Sequence, residues 1–256
     1  MRKSLMAAVG ASGVFVAAAF LIPAAGASPG GTAAHDRADH AAAKDAKDAK
    51  KPEKANSKDT REGSVSAADL LAKVKDCDQI SNGEYKTDEE GSPSIPVCDT
   101  ESAVFWKGDL DIDCDGQESE QCNAQTDPSY QDDTAFHTSD GRPLDAAKMP
   151  YVVVPSKSDI WNFADSGIEG GGIVAVISGD KVVYTAVGDT GPEEIIGEAS
   201  YATAEGLGID PDPATGGAES GVTYIAFKNS KTDAIEDHDK TVELGDKLAK
   251  EFVGKN

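Results

Sequence analysis

Several common catalytic and binding machineries are missing from this 256-residue chain. No HExxH pair places two histidines on a helix for zinc, and no P-loop or strand-following GxGxxG offers a phosphate cradle. No Gly-x-Ser-x-Gly elbow presents a serine nucleophile. The four cysteines form no CxxC pair, which argues against a zinc site. Histidine is scarce, with four in all. His35 and His40 stand isolated in a polar tract, and His137 and His238 lie far apart. Basic residues are few, with 24 Lys and Arg against 46 Asp and Glu and a formal charge of −22. Such a surface repels phosphate backbones and anionic bilayers, which excludes nucleic acid and membranes as partners. It attracts polycations and metal cations. Solubility alone also accounts for an acidic surface.

After the first 22 residues no apolar run is long enough to span a bilayer. That first stretch has Arg2 and Lys3, an apolar run from Leu5 to Ile22, then Pro23 and Ala25-Gly26-Ala27. This is the anatomy of a secretory signal peptide over 1–27. Gly10, Ser12 and Gly13 weaken the rival reading of a membrane anchor. Residues 28–63, with the repeat AKDAKDAKKPEKANSKD, contain almost nothing to bury and predict a disordered charged linker. Residues 64–256 are then expected to be one catalytic domain, extracellular and monomeric.

All four cysteines fall in that domain: Cys77, Cys98, Cys114 and Cys122. An even count in an exported chain indicates two disulfides, with three possible connectivities. The spacing favours Cys77–Cys98 and Cys114–Cys122, since each closes a polar, turn-rich loop.

Apolar periodicity predicts a helix over 64–76 capped by Ser66, strands at 103–112, 151–154, 172–177, 181–187 and 221–227, and helices at 199–207 and 240–252. Ser178-Gly179-Asp180 joins two strands as a hairpin. Residues 116–142 carry no regular pattern. The expected class is α+β, with a mostly antiparallel or mixed β core, barrel-like or sandwich, and a few peripheral helices.

Three segments do not read as scaffold. In KGDLDIDCDG (107–116), Asp109, Asp111 and Asp113 alternate with apolar residues, so on a strand they share a face. Like charges so close require something positive among them: a cation, a basic side chain or a cationic substrate. The segment lacks the ligand order and closing Glu of an EF-hand. In GDTGP (188–192), Asp189 falls where a strand runs out into a Gly-bounded turn. In IGEAS (196–200), Glu198 falls at the start of the expected helix. Either acid alone is ordinary, the one opening a turn and the other favoured by a helix dipole. Together they supply the two carboxyls that glycosidic hydrolysis requires.

These segments, with DPS (127–129), MPYVVVP (149–155), LGI (207–209) and GVTYIAF (221–227), resemble the chitosanases of glycoside hydrolase family 75, known mostly from fungi and filamentous bacteria. The resemblance runs over about residues 100–227. It implies an endo-acting enzyme that hydrolyses chitosan with inversion, without cofactor or metal, with Asp189 and Glu198 as the essential acids. Members can carry a longer insertion between the Asp and Glu blocks, so loop geometry does not transfer to the short connection here. The expected cation-binding wall is Asp109, Asp111, Asp113 and Asp115, with Tyr151 as a sugar-stacking candidate. Trp106 and Trp161 can stack on sugars too, but fill a core as readily. Rival readings are a non-catalytic extracellular carbohydrate- or cation-binding module, an exported calcium-binding structural protein, and a hydrolase of another amino-sugar polymer.

Overall fold

The computed structural model describes residues 62–254. The expected signal peptide and nearly all of the expected linker lie outside them. The elements in chain order are α1 (Ala67–Lys73), β1 (Asp78–Gln79), β2 (Cys98–Asp99), β3 (Ala103–Asp113), β4 (Tyr151–Pro155), β5 (Ile173–Ser178), β6 (Lys181–Gly191), β7 (Glu198–Ser200), α2 (Tyr201–Leu207), β8 (Ala218–Phe227) and α3 (His238–Gly254).

Six strands close into a mixed barrel in the order β3-β7-β4-β6-β5-β8, because β8 pairs back onto β3. The pairs β3–β7 and β4–β6 are parallel. The other pairs around the barrel, including the β5–β6 hairpin, are antiparallel. The short β1–β2 ribbon hangs on the N-terminal half of β3.

The strands are apolar on both faces, and the structure gives each face a partner. Val104, Trp106, Val152, Val174, Val183 and Tyr224 form a core with members from every part of the barrel. Their sequence neighbours Phe105, Ile173, Ala175, Val182, Tyr184 and Ile225 pack outward against α1 and α3. Both faces are buried, so the strand runs read as continuous apolar stretches rather than alternations. Trp106 stacks on Tyr224 at 5.1 Å and tilts against Trp161 at 6.3 Å. Both tryptophans therefore belong to the core.

The disulfides are Cys77–Cys98 and Cys114–Cys122. The second ties the end of β3 to the long irregular segment 116–142. That segment forms no helix or strand, but Asx turns and backbone hydrogen bonds hold it in place.

Two boundaries differ from the sequence expectation in ways that matter. Strand β6 runs on to Gly191, so Asp189 lies within it rather than in a turn beyond it. Glu198 opens strand β7 rather than a helix, and α2 begins at Tyr201 with Ser200 as its N-cap. Pairing with β3 and β4 holds residues 198–200 extended, and the local preference for helix yields to it.

Candidate active site

The outer surface of four adjacent strands, β3-β7-β4-β6, forms the floor of an open cavity of about 520 Å³. A row of residues crosses this floor perpendicular to the strands. Asp111 on β3 pairs with Glu198 on β7. The antiparallel register Val152↔Ala199 brings Glu198 opposite Val153 on β4. Val153 in turn pairs with Asp189 on β6. All four line the cavity.

One irregularity creates the row. Between β4 and β6 the register passes from Val152↔Val187 to Val153↔Asp189, leaving Gly188 unpaired. The strand bulges there by one residue. Without the bulge, Asp189 would share the inward face of Val187, inside the barrel core. With it, Asp189 faces the cavity beside Val153. A Cβ at position 188 would lie 2.6 Å from Leu144 and from Tyr151, so the bulge is packed tightly from behind.

The two acids of the row have different surroundings. Asp189 is 7% exposed, and one carboxylate oxygen accepts the backbone N–H of Ala135 at 2.8 Å and of Thr190 at 2.6 Å. Burial raises its pKa, and those two donors pull it back. Glu198 has no donor of this kind among the described residues. Burial, with the charges of Asp111, Asp115 and Asp189, pushes its pKa up to about 7. Two carboxyls whose environments drive them apart in this way are suited to opposite halves of an acid–base reaction.

Glycines make room for two of the acids, Gly191 for Glu198 and Gly197 for Asp109. A Cβ on Gly191 would stand 2.5 Å from Glu198 Oε2 and 3.0 Å from Val153. Gly197 has φ +131°, and a Cβ there would collide with the Asp109 carboxyl. Gly191→Ala is expected to lower kcat at least about tenfold by displacing the Glu198 carboxyl, with little change in melting temperature. Steady-state kinetics with a thermal melt checks this. Wild-type kcat in the variant would show that the carboxyl does not depend on this space.

The acidic segment divides. Asp111, Asp113 and Asp115 line the cavity, with Asp88, Glu89 and Asp127 on its walls. Asp113 accepts the N–H of Asp115 at 2.7 Å, and Asp115 accepts the N–H of Gln131 at 2.6 Å. Among the described residues no Lys, Arg or His lines the cavity. Among them, too, no group of three or more His, Cys, Asp or Glu is arranged to hold a metal ion.

Asp109 is a correction to the sequence expectation. Its side chain packs against Gly197 and does not line the cavity. It is 5% exposed, and its Oδ1 has no hydrogen-bond partner among the described residues. Burial, the largest cause, and then the Asp111 charge push its pKa up to about 7. Tyr151 is a second correction. It is 0% exposed and offers no ring face to a sugar. It is the first residue of β4, packed under Gly188, and its hydroxyl donates to the backbone oxygen of Asp115 at 3.1 Å.

Asp88, Glu89, Gly191 and Gly197 went unassigned in the sequence reading. The two glycines stand inside the blocks that carry the resemblance, and each falls within two residues of an expected essential acid. Asp88 and Glu89 lie in an acidic turn with no distinguishing pattern. Lys86, bridged to Ile195 and ion-paired with Glu194 at 2.9 Å, brings that turn to the rim.

Comparison with known proteins gives the same direction. An endo-chitosanase B from Aspergillus oryzae is 33% identical over 185 residues, covering 60% of this chain and 76% of that protein. An endo-chitosanase from Aspergillus oryzae is 31% identical over 162 residues, covering 55% and 66%. One from Aspergillus fumigatus is 30% identical over 138 residues, covering 49% and 58%. The sequence model described as fungal chitosanase of glycosyl hydrolase group 75 matches residues 110–253, which span the end of the acidic strand, the bulge and the Asp189–Glu198 row, and the chain belongs to that family.

Proposed function

We propose that this protein is an exported, endo-acting chitosanase that cleaves β-1,4 linkages between glucosamine units with inversion, Glu198 serving as general acid and Asp189 as general base. The observation that carries the reading is the row across the sheet. Glu198 and Asp189 sit on strands separated by β4 alone. Neighbouring strands lie about 4.8 Å apart, so the two backbones are about 9.6 Å apart. Inverting enzymes hold their carboxyls about 6.5–9.5 Å apart to leave room for water, and retaining enzymes about 5–5.5 Å. One intervening strand leaves space between the two side chains for a water molecule, which inversion needs.

In this mechanism Glu198, which keeps its proton up to about neutral pH, protonates the glycosidic oxygen as the bond to the anomeric carbon breaks. Asp189, held by two backbone N–H groups, takes a proton from a water attacking the opposite face. Proton exchange with solvent then restores both acids. The developing positive charge on the sugar faces a cavity lined with carboxylates and no cationic side chain. The same walls suit a substrate that carries an ammonium on each unit. Matches to proteins named endo-chitosanase support the substrate class. Two disulfides support an oxidising compartment.

The test is to incubate the protein with partly acetylated chitosan and follow reducing ends and the anomeric proton by NMR. The expected result is rapid loss of chain length and an α-anomer as first product. Binding without new reducing ends would make the protein a carbohydrate-binding module, and a β-anomer first would exclude inversion.

A further inference from the structure

Tyr151 touches nothing in the cavity, yet every part of it contacts an element of the acidic row. Its backbone N–H donates to Ser200 Oγ at 3.0 Å, two residues beyond Glu198. Its carbonyl accepts from Thr203 Oγ1 at 3.0 Å, and that hydroxyl is itself hydrogen-bonded to Ser200 Oγ at 2.9 Å. Its Cβ and Cγ lie against Gly188, the unpaired residue of the bulge that turns Asp189 outward. Its hydroxyl donates to the Asp115 backbone oxygen at 3.1 Å. One fully buried residue, through backbone and side chain together, thus joins β7, the β6 bulge and the 113–115 turn, elements that lie far apart in sequence.

We propose that Tyr151 is a positioning residue that sets the mutual register of Asp189, Glu198 and the Asp113–Asp115 turn from beneath the cavity floor. The proposal rests on the reading of Asp189 and Glu198 given above. The physical basis is the cost of misalignment: a displacement of about 1 Å in an acid–base pair lowers the rate by up to about a hundredfold, without touching residues that bind the substrate elsewhere. The hydroxyl matters most, because Asp113 and Asp115 line the cavity at and just past the end of β3. The Tyr151 hydroxyl links β4 to that strand end.

Tyr151→Phe removes the hydroxyl and keeps the ring and backbone contacts. Its kcat is expected to fall about 30-fold with KM within about twofold of wild type, since Asp88, Glu89 and Asp127 still hold the polymer. The loss should not add to that of Asp113→Asn in the double variant, because the hydroxyl acts through that turn. Wild-type kcat in Tyr151→Phe, or losses that simply add, would overturn the proposal. If Tyr151→Phe does not fold, Thr203→Val removes the bond to the Tyr151 carbonyl. It should lower kcat by a smaller factor, about fivefold, at constant KM, and an unchanged kcat there also overturns it. Asp189→Asn and Glu198→Gln separate the two failures. If they stay active, the reading of the site is wrong; if they are inactive while the Tyr151 and Thr203 variants match wild type, only the present inference fails.

Discussion

Glu198→Gln and Asp189→Asn are each expected to lower chitosan cleavage about 10³-fold or more while the protein stays folded. Both amides keep the shape of the acids they replace. Glutamine at 198 has no proton to give the leaving oxygen. Asparagine at 189 cannot take one from water, and its amide meets the backbone N–H groups of Ala135 and Thr190. The double variant should be little worse than the poorer single one, because the two groups act in one step. Turnover numbers with a circular dichroism spectrum check the expectation. Retention of about a tenth of wild-type activity by either variant would remove that acid from the mechanism. A change confined to KM would assign it to substrate binding instead.

Asp109→Asn is expected to raise the melting temperature at pH 8 by about 5–10 °C and to give no such gain at pH 4. In the folded protein Asp109 titrates at about 7, against an ordinary value of 3.8. Glu198 titrates at about 7 against 4.5, and Asp115 at about 6 against 3.8. In each case the folded state holds a proton that the unfolded chain has already released. Stability is therefore fully present below about pH 4 and is lost as pH rises toward 7, where the folded carboxyls must ionise out of water. For Asp109, with its Oδ1 unpartnered, the loss is on the order of a few kcal/mol. A change of about 1 kcal/mol moves the melting point of a domain this size by about 2–4 °C. Asparagine cannot ionise, so its advantage grows across that window. Calorimetry at pH 4 and pH 8 decides the matter. An equal shift at both pH values would mean that the effect is packing and not charge.

The buried acids thus lower stability at neutral pH, a cost that active sites commonly carry. The barrel offsets it with a core apolar on both faces of its strands and with two disulfides.

Most of the framework was legible in the sequence because it rests on local pattern. The apolar runs at 103–112, 151–154, 172–177, 181–187 and 221–227 fall on strands β3, β4, β5, β6 and β8, apart from Gly172 beside β5. The hairpin at 178–180, the polar irregular stretch 116–142 and the C-terminal helix are where the pattern puts them. The two-residue strands β1 and β2 carry too little pattern to be read.

Composition and motif spacing by themselves determined the acidity of the protein, the even cysteine count and the GDTG and GEAS blocks that nominate the two acids. Only the tertiary structure decided which way the side chains face. A strand side chain takes one of two faces, and one extra residue reverses the choice. Whether that residue is present depends on a partner strand elsewhere in the chain. The bulge at Gly188 exists against Val152 and Val153, and it brings Asp189 out of the core. Asp109 alternates in sequence with Asp111 and Asp113, but packing against Gly197 from the 196–198 segment buries it off the cavity wall. Tyr151, an aromatic that local reasoning offers to the sugar, is buried because three distant elements close over it.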